Sequence, residues 1–309
     1  MLVFALRKVF RALLTVMLLV TFTFFVLRLT GDPATSMVGL DVPQEAREAF
    51  RVKWGLDRPL WTQYFIYLEQ LAQGDFGRSF VGARPAWDVV AERLPKTLSL
   101  MGATTLVTLL IGIPLGVIAA VRRGTWVDRL AIGVSVAGLS LPNFVVGILL
   151  ILLFGVGLMW LPTTGSDTVW HFILPVVTMA TSEAAVFARF ARSAMLDVLN
   201  QPYMRTAAAK GRDRASAVVW HALPNAAIPL VTVVALYLGR LIVGAVVTEN
   251  VFAWPGVGSL LVLSVEHRDL AVVQTIVILV GITMVAANLT VDIAYRWLDP
   301  RTARREGAG

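Results

Sequence analysis

Apolar residues gather along this chain in long runs instead of one-sided stripes. Six such runs lie near Val9–Leu29, Leu98–Val121, Leu130–Leu158, Phe172–Phe190, Pro224–Thr248 and Ala271–Tyr295. A run of about 20 residues matches the roughly 30 Å hydrocarbon core of a bilayer at 1.5 Å per helical residue. A soluble helix needs no such run, because one of its faces must meet water. The pattern predicts six transmembrane helices, which satisfy every backbone polar group within the segment as lipid requires. The third run is long enough to tilt or to include an interfacial turn. Pro114, Pro142, Pro175 and Pro229 fall inside or at the ends of the runs, where neighbouring helices re-satisfy the freed carbonyls. The stretch from Gly31 to Lys96 breaks the pattern. It is mixed in charge, and in "PQEAREAFRVKWG" Val42, Ala46, Ala49 and Phe50 share one helical face. That spacing predicts a small helical domain outside the bilayer.

Composition agrees with a membrane protein: 57% of residues are hydrophobic and 15% charged. The absence of cysteine excludes disulfides, thiolate metal sites and cysteine nucleophiles. The net charge of +7 sits mostly in short loops, as the positive-inside rule expects, so it gives no reason to invoke nucleic acid. Arg122, Arg123 and Arg129 follow the second run. Arg189, Arg192, Arg205, Lys210, Arg212 and Arg214 follow the fourth, and Arg296, Arg301, Arg304 and Arg305 follow the sixth. Leu161–Trp170 carries no Lys or Arg, and only Arg268 separates the fifth and sixth runs. This asymmetry puts both termini in the cytoplasm and Gly31–Lys96 outside. Arg7, Lys8 and Arg11 precede the first run as in a signal peptide, but "VLRLTGDPA" offers no small-x-small cleavage site, so the run is read as an uncleaved span.

Familiar chemistry is missing. No phosphate loop of the G-x-x-x-x-G-K-[ST] type occurs, and His171, His221 and His267 are scattered without metal-ligand spacing. Arg28 and Asp292 lie near span ends, while Glu183 and Arg240 lie deeper. A charge at the bilayer centre costs about 2.5–3.5 kcal/mol on insertion scales, so these two must face protein or water. Two readings stand side by side: candidate lining of a substrate path, or an inter-helix pairing or interfacial placement.

Between the fourth and fifth runs comes "RTAAAKGRDRASAVVWHALPNA", Arg205–Ala226. Its alanines and long side chains favour helix, and Gly211 ends that helix. A second piece starts near Asp213, with Ala217, Val218 and Trp220 giving an apolar side. The expected form is two short helices meeting at Gly211 against the cytoplasmic membrane surface. Such a segment either fixes topology through anionic lipid or acts as a lever for a soluble partner.

This segment resembles the cytoplasmic loop of permease subunits of ATP-binding-cassette importers, E-A-A-x-x-x-G followed after nine residues by I-x-L-P. Ala207, Gly211, Leu223 and Pro224 match at the right spacing; Arg205, Thr206 and His221 replace the glutamate, first alanine and isoleucine. Tyr203–Gly211 is similar to the "Y-x-R-T-A-x-A-K-G" of the peptide-importing branch. "LRLTGDPA", "WGLDRPLWTQY", "GDFGRS", "RLPKTLSL", "IGIPLGVIAA", "ARFARSAML", "ENVFAWPGVG" and "RDLAVVQ" follow in that branch's order. The chain is identified as a member of the dipeptide/oligopeptide/nickel permease family, in the form with a large first extracytoplasmic loop.

The resemblance implies an all-α membrane protein of the type I importer permease (MetI-like) fold. Residues 1–30 form the tail and first span, and 31–96 the extracytoplasmic insert. Residues 97–296 form the core permease domain with its coupling loop at 191–223, and 297–309 a cytoplasmic tail. It implies a multi-pass subunit of the bacterial inner membrane that hydrolyses nothing itself and needs no cofactor or metal. Its partners would be a second homologous permease, two ATPase subunits and a periplasmic or extracellular substrate-binding protein. Tyr203, Arg205, Thr206, Ala207, Lys210, Gly211, Arg212, Leu223 and Pro224 would contact the ATPases, with Glu183 and Arg240 as candidate path lining. The substrate would be a dipeptide or oligopeptide; nickel complexes, glutathione or another small solute remain open. A proton- or sodium-driven carrier and a membrane-anchored scaffold are the rival classes.

Overall fold

The structure is a computed structural model that describes residues 2–29 and 43–298. Among the described residues the regular secondary structure is all helical, with one isolated bridge between Arg78 and Pro85. Contacts within the chain divide it into two compact units: Met1–Thr97 with Pro255–Val285, and Leu98–Trp254 with Ala286–Gly309.

In the first unit, α1 (Leu2–Leu29) is the first apolar run. The segment outside the runs holds α2 (Gln44–Lys53) and α3 (Leu60–Ala72), each preceded by a proline whose fixed φ suits a helix start. Of the face expected on α2, Val42 lies outside the described residues. Phe50 does pack, forming an aromatic triad with Trp54 and Phe80 at centroid separations of 4.9–6.0 Å. Val20 and Phe24 of α1 pack on Tyr64 and Tyr67 of α3. A second core joins Ala86 and Val90, at the start of α4 (Ala86–Val121), to α11 (Val257–Glu266) and the first turns of α12 (Leu270–Leu298). Two motifs far apart in sequence meet here: Ser79 Oγ donates to the buried carboxylate of Asp269, and the Phe80 N–H donates to its other oxygen at 3.2 Å.

The second unit is built on α7 (Trp170–Leu199), which is packed by α5 (Trp126–Ser140), α6 (Asn143–Leu150) and α10 (Leu223–Val251). The third apolar run is not one straight span. α5 and α6, the latter continued by a π-helical stretch Ile151–Gly157, are bent by 96° at Leu141–Pro142. Pro142 crowds the residue before it out of the helical region, and Leu141 accordingly takes φ −100°, ψ 128°. Five helices are long and apolar enough to cross a membrane, and the bent pair makes the sixth candidate.

Candidate functional site

The basic segment folds onto the ends of two long helices of the second unit. α8 (Pro202–Ala209) starts with proline at its first position, where the missing N–H leaves no bond unmade. It stops at a glycine. The Gly211 N–H donates to the Ala208 carbonyl at 3.0 Å and the Arg212 N–H to that of Ala207 at 3.2 Å, the paired closure of a Schellman turn. That closure requires a left-handed residue, and Gly211 sits at φ +78°. Asp213 then caps α9 (Arg214–Ala217), its Oδ2 accepting the Ser216 N–H at 2.9 Å. α9 does not end in a loop. It passes through a π-helical turn, Val218–Ala222, directly into α10.

The helix pair has two chemically distinct sides. Met204 and Ala207 of α8, with Ala217 and Val218 beyond the turn, are buried against Ala120 of α4 and Ala194 and Met195 of α7. The apolar side therefore rests on protein, not on the membrane surface the sequence suggested. Trp220, expected on that side, is 69% exposed. Tyr203, Arg205, Thr206, Lys210, Gly211 and Arg212 face outward, as does Pro224, while Leu223 is half-buried on the anchor. Arg214 ties the pair down, donating from Nη2 to the Val121 carbonyl at 2.8 Å, where it also complements the negative end of α4.

Two features of this anchor escaped the sequence reading. Asp128, buried in the first turn of α5, accepts from Arg192 Nε at 2.7 Å and Nη2 at 2.9 Å, a bidentate pair. It also accepts the Gly124 N–H at 2.9 Å. The two residues are 64 positions apart, and no spacing announces them. The other feature had a signal: Gly112 and Gly116 form a G-x-x-x-G in an apolar run, a pattern that lets helices approach closely. A Cβ on Gly116 would stand 2.3 Å from the Ala188 carbonyl oxygen, and one on Gly112 would stand 2.7 Å from that of Ala184. α4 and α7 thus touch backbone to backbone.

Glu183 lines a cavity of about 400 Å³ with Asn143, Tyr237, Phe190 and Leu236. Its neighbour Ser182 donates to Asn143 Oδ1 at 2.8 Å. Arg240 belongs to α10, and its side chain lies outside the described residues. Among the described residues no cluster of His, Asp or Glu could hold a metal ion.

Comparison with known proteins now decides the family. The model for the binding-protein-dependent transport system inner membrane component matches residues 112–304, and its N-terminal companion matches residues 1–101. This chain belongs to that family. It is 44% identical over 276 residues to the glutathione transport system permease protein GsiC of Escherichia coli (strain K12), covering 89% of this chain and 90% of that one. GsiC of Shigella dysenteriae serotype 1 (strain Sd197) gives the same figures. Among solved structures, the inward facing MetNI methionine ABC transporter in its CY5 native crystal form aligns with a TM-score of 0.58. That match is 19% identical and covers 68% of this chain and 96% of the other, so it speaks for the fold. The permease is a multi-pass inner-membrane transport subunit with the MetI-like helical fold, as the motifs predicted. A family so defined works with a binding protein.

Proposed function

We propose that this permease forms the membrane path of an ATP-driven importer of small peptides, glutathione among them, and that Tyr203–Pro224 is its coupling segment. The observation that carries the reading is the helix pair itself. Its apolar side is fixed to α4 and α7, its basic side is offered outward, and α9 runs without a break into α10. A push on Arg205, Lys210 or Arg212 by a soluble subunit would therefore move a span and not merely a loop. Coupling then means that two packings of the spans are biased by different contacts with the ATPases. The 44% identity to glutathione permeases supports a peptide-sized, acidic cargo.

In this reading both termini and the helix pair are cytoplasmic, and residues 31–96 face the binding protein. Residues 97–296 form the core permease domain, paired with a second homologous permease above two ATPase subunits. Glu183 and Arg240 line the path.

Gly211→Val tests the coupling role. Open space surrounds Gly211, so a side chain meets no clash there; the penalty comes from the left-handed backbone, about 1–2 kcal/mol for an L-residue and more for a β-branched one. Gly211→Asn, which tolerates that conformation, is the control. In proteoliposomes holding the complete transporter, the valine variant should hydrolyse ATP with little uptake while the asparagine variant transports. Full ATP-driven uptake by the valine variant overturns the assignment. Purification of the tagged permease without ATPase subunits or a second permease overturns the importer assembly.

A further inference from the structure

The first unit contains a cavity of about 410 Å³ that the transport reading does not use. Four cationic side chains line it, Arg28, Lys53, Arg58 and Arg78, against one carboxylate, Asp75. Asp75 is already engaged, since its Oδ1 accepts the Gly77 N–H at 2.8 Å. Among the described residues none of the four cations forms a salt bridge. Arg28 is instead held by a neutral group: its Nη1 donates to Gln63 Oε1, and Gln63 Nε2 in turn donates to the carbonyls of Arg58 at 2.6 Å and Leu56 at 3.2 Å. The amide aims the guanidinium without neutralising it.

The same cavity is lined by two buried polar groups that lack partners. Tyr67 is 9% exposed and Gln274 is 4% exposed, and neither the Tyr67 hydroxyl nor Gln274 Nε2 finds an acceptor among the described residues. A buried unsatisfied donor costs about 1–3 kcal/mol, so a cavity with two of them, beside cations that pair with no carboxylate among the described residues, suits an acceptor-rich group with negative charge.

The depth of the cavity narrows the choice. Arg28 is in the last turn of α1, and Leu270, Ala271 and Gln274 are in the first turns of α12. Both helices are candidate spans, so the cavity lies where spans end, at the level of lipid phosphates. Trp54 and Phe80 supply aromatic rings suited to that interface.

We propose that this cavity is an oxyanion site that takes the phosphate of a phospholipid headgroup. Arg28 and Arg58 pair with the phosphate oxygens, and Tyr67 and Gln274 donate to them. Lys53 and Arg78 favour a headgroup of net negative charge. The site ties the first unit to anionic lipid independently of the cargo, so it stands or falls apart from the coupling segment.

The test uses the whole transporter purified in a neutral maltoside detergent, without nucleotide, and follows thermal unfolding of the permease. Titration with short-chain phosphatidylglycerol should raise the midpoint saturably, and phosphatidylcholine of the same chain length should do so weakly. Arg58→Gln combined with Tyr67→Phe should weaken the apparent phosphatidylglycerol affinity by about a hundredfold, the worth of two charge-assisted hydrogen bonds. Arg58→Lys, which keeps the charge, guards against misfolding by retaining most of the effect. Inorganic phosphate that stabilises the wild type at millimolar concentration and not the double variant also supports the site, and assigns it to a free anion. Equal stabilisation of wild type and double variant by both probes, or of neither, overturns the proposal.

Discussion

Two basic regions of this permease use their cations in opposite ways. Beneath the helix pair, the cation that is partly buried is matched: Arg192 is locked in a fork to Asp128, and only outward-facing residues such as Arg205 and Lys210 carry uncompensated charge. In the Arg28 cavity, the half-buried Arg28 is held by the Gln63 amide, Lys53, Arg58 and Arg78 are exposed along the lining, and none of the four pairs with a carboxylate among the described residues. The difference teaches how to tell structural charge from charge kept for a ligand. A cation paired by a buried carboxylate holds helices together. A cation oriented by a neutral side chain stays available.

The contrast breaks most sharply at Asp128. Asp128→Ala would leave Arg192 without its partner under the helix pair. Removing one member of a buried pair costs about 3–5 kcal/mol, and the lower end applies because Arg192 keeps 24% of its side chain exposed. We expect a loss of about 3 kcal/mol in denaturant unfolding of the detergent-solubilised complex. Asp128→Leu combined with Arg192→Met should recover most of it, since two apolar groups strand no charge. A single variant as stable as the parent would show that the pair is not structural, and the distinction between the two regions would fail.

The next effect sharpens the anchor side of the comparison. Gly116→Ala pushes a methyl group into the Ala188 carbonyl, a backbone atom that cannot rotate away. Overpacking of this kind costs about 1–3 kcal/mol, and separating α4 from α7 also disturbs the surface on which Met204 and Ala207 rest. Gly102, in the same helix, has open space around its Cα. Gly102→Ala should therefore be neutral, or stabilise by up to about 1 kcal/mol through helix propensity. Two identical substitutions 14 residues apart in α4 should differ in sign; equal unfolding midpoints would refute the close approach.

How much of this was legible beforehand follows from what each feature needs. The apolar runs are local, and so the spans could be read directly. The left-handed turn at Gly211 is also local and was readable, as was a second helical piece starting near Asp213; the capping role of Asp213 came from the structure. The bend at Pro142 was half-readable: the proline was visible and the run was long enough to tilt or to include a turn, but only the structure shows a 96° bend there. Asp128–Arg192, Ser79–Asp269 and the Arg28 cavity join residues from distant segments, and no periodicity encodes which distant side chains meet. Trp220 was misplaced for a related reason. A helical wheel says which residues share a face, not whether protein or another surface covers it.

The smallest expected effect on stability concerns the outward charges. Arg205 and Lys210 are exposed and lie outside the buried anchor, and surface substitutions away from packing features usually change stability by less than about 0.5 kcal/mol. Arg205→Ala and Lys210→Ala should therefore unfold with the parent. If these side chains meet ATPase carboxylates, however, the same variants should lower ATP-driven uptake, and their loss should narrow the salt dependence of ATPase association, because exposed pairs are screened over about 8 Å at physiological ionic strength. Structure and coupling would then separate cleanly: Asp128→Ala loses the fold first, while Arg205→Ala loses transport with the fold intact. Uptake and salt dependence both unchanged in the double variant Arg205→Ala/Lys210→Ala would place the ATPase contact elsewhere on the permease.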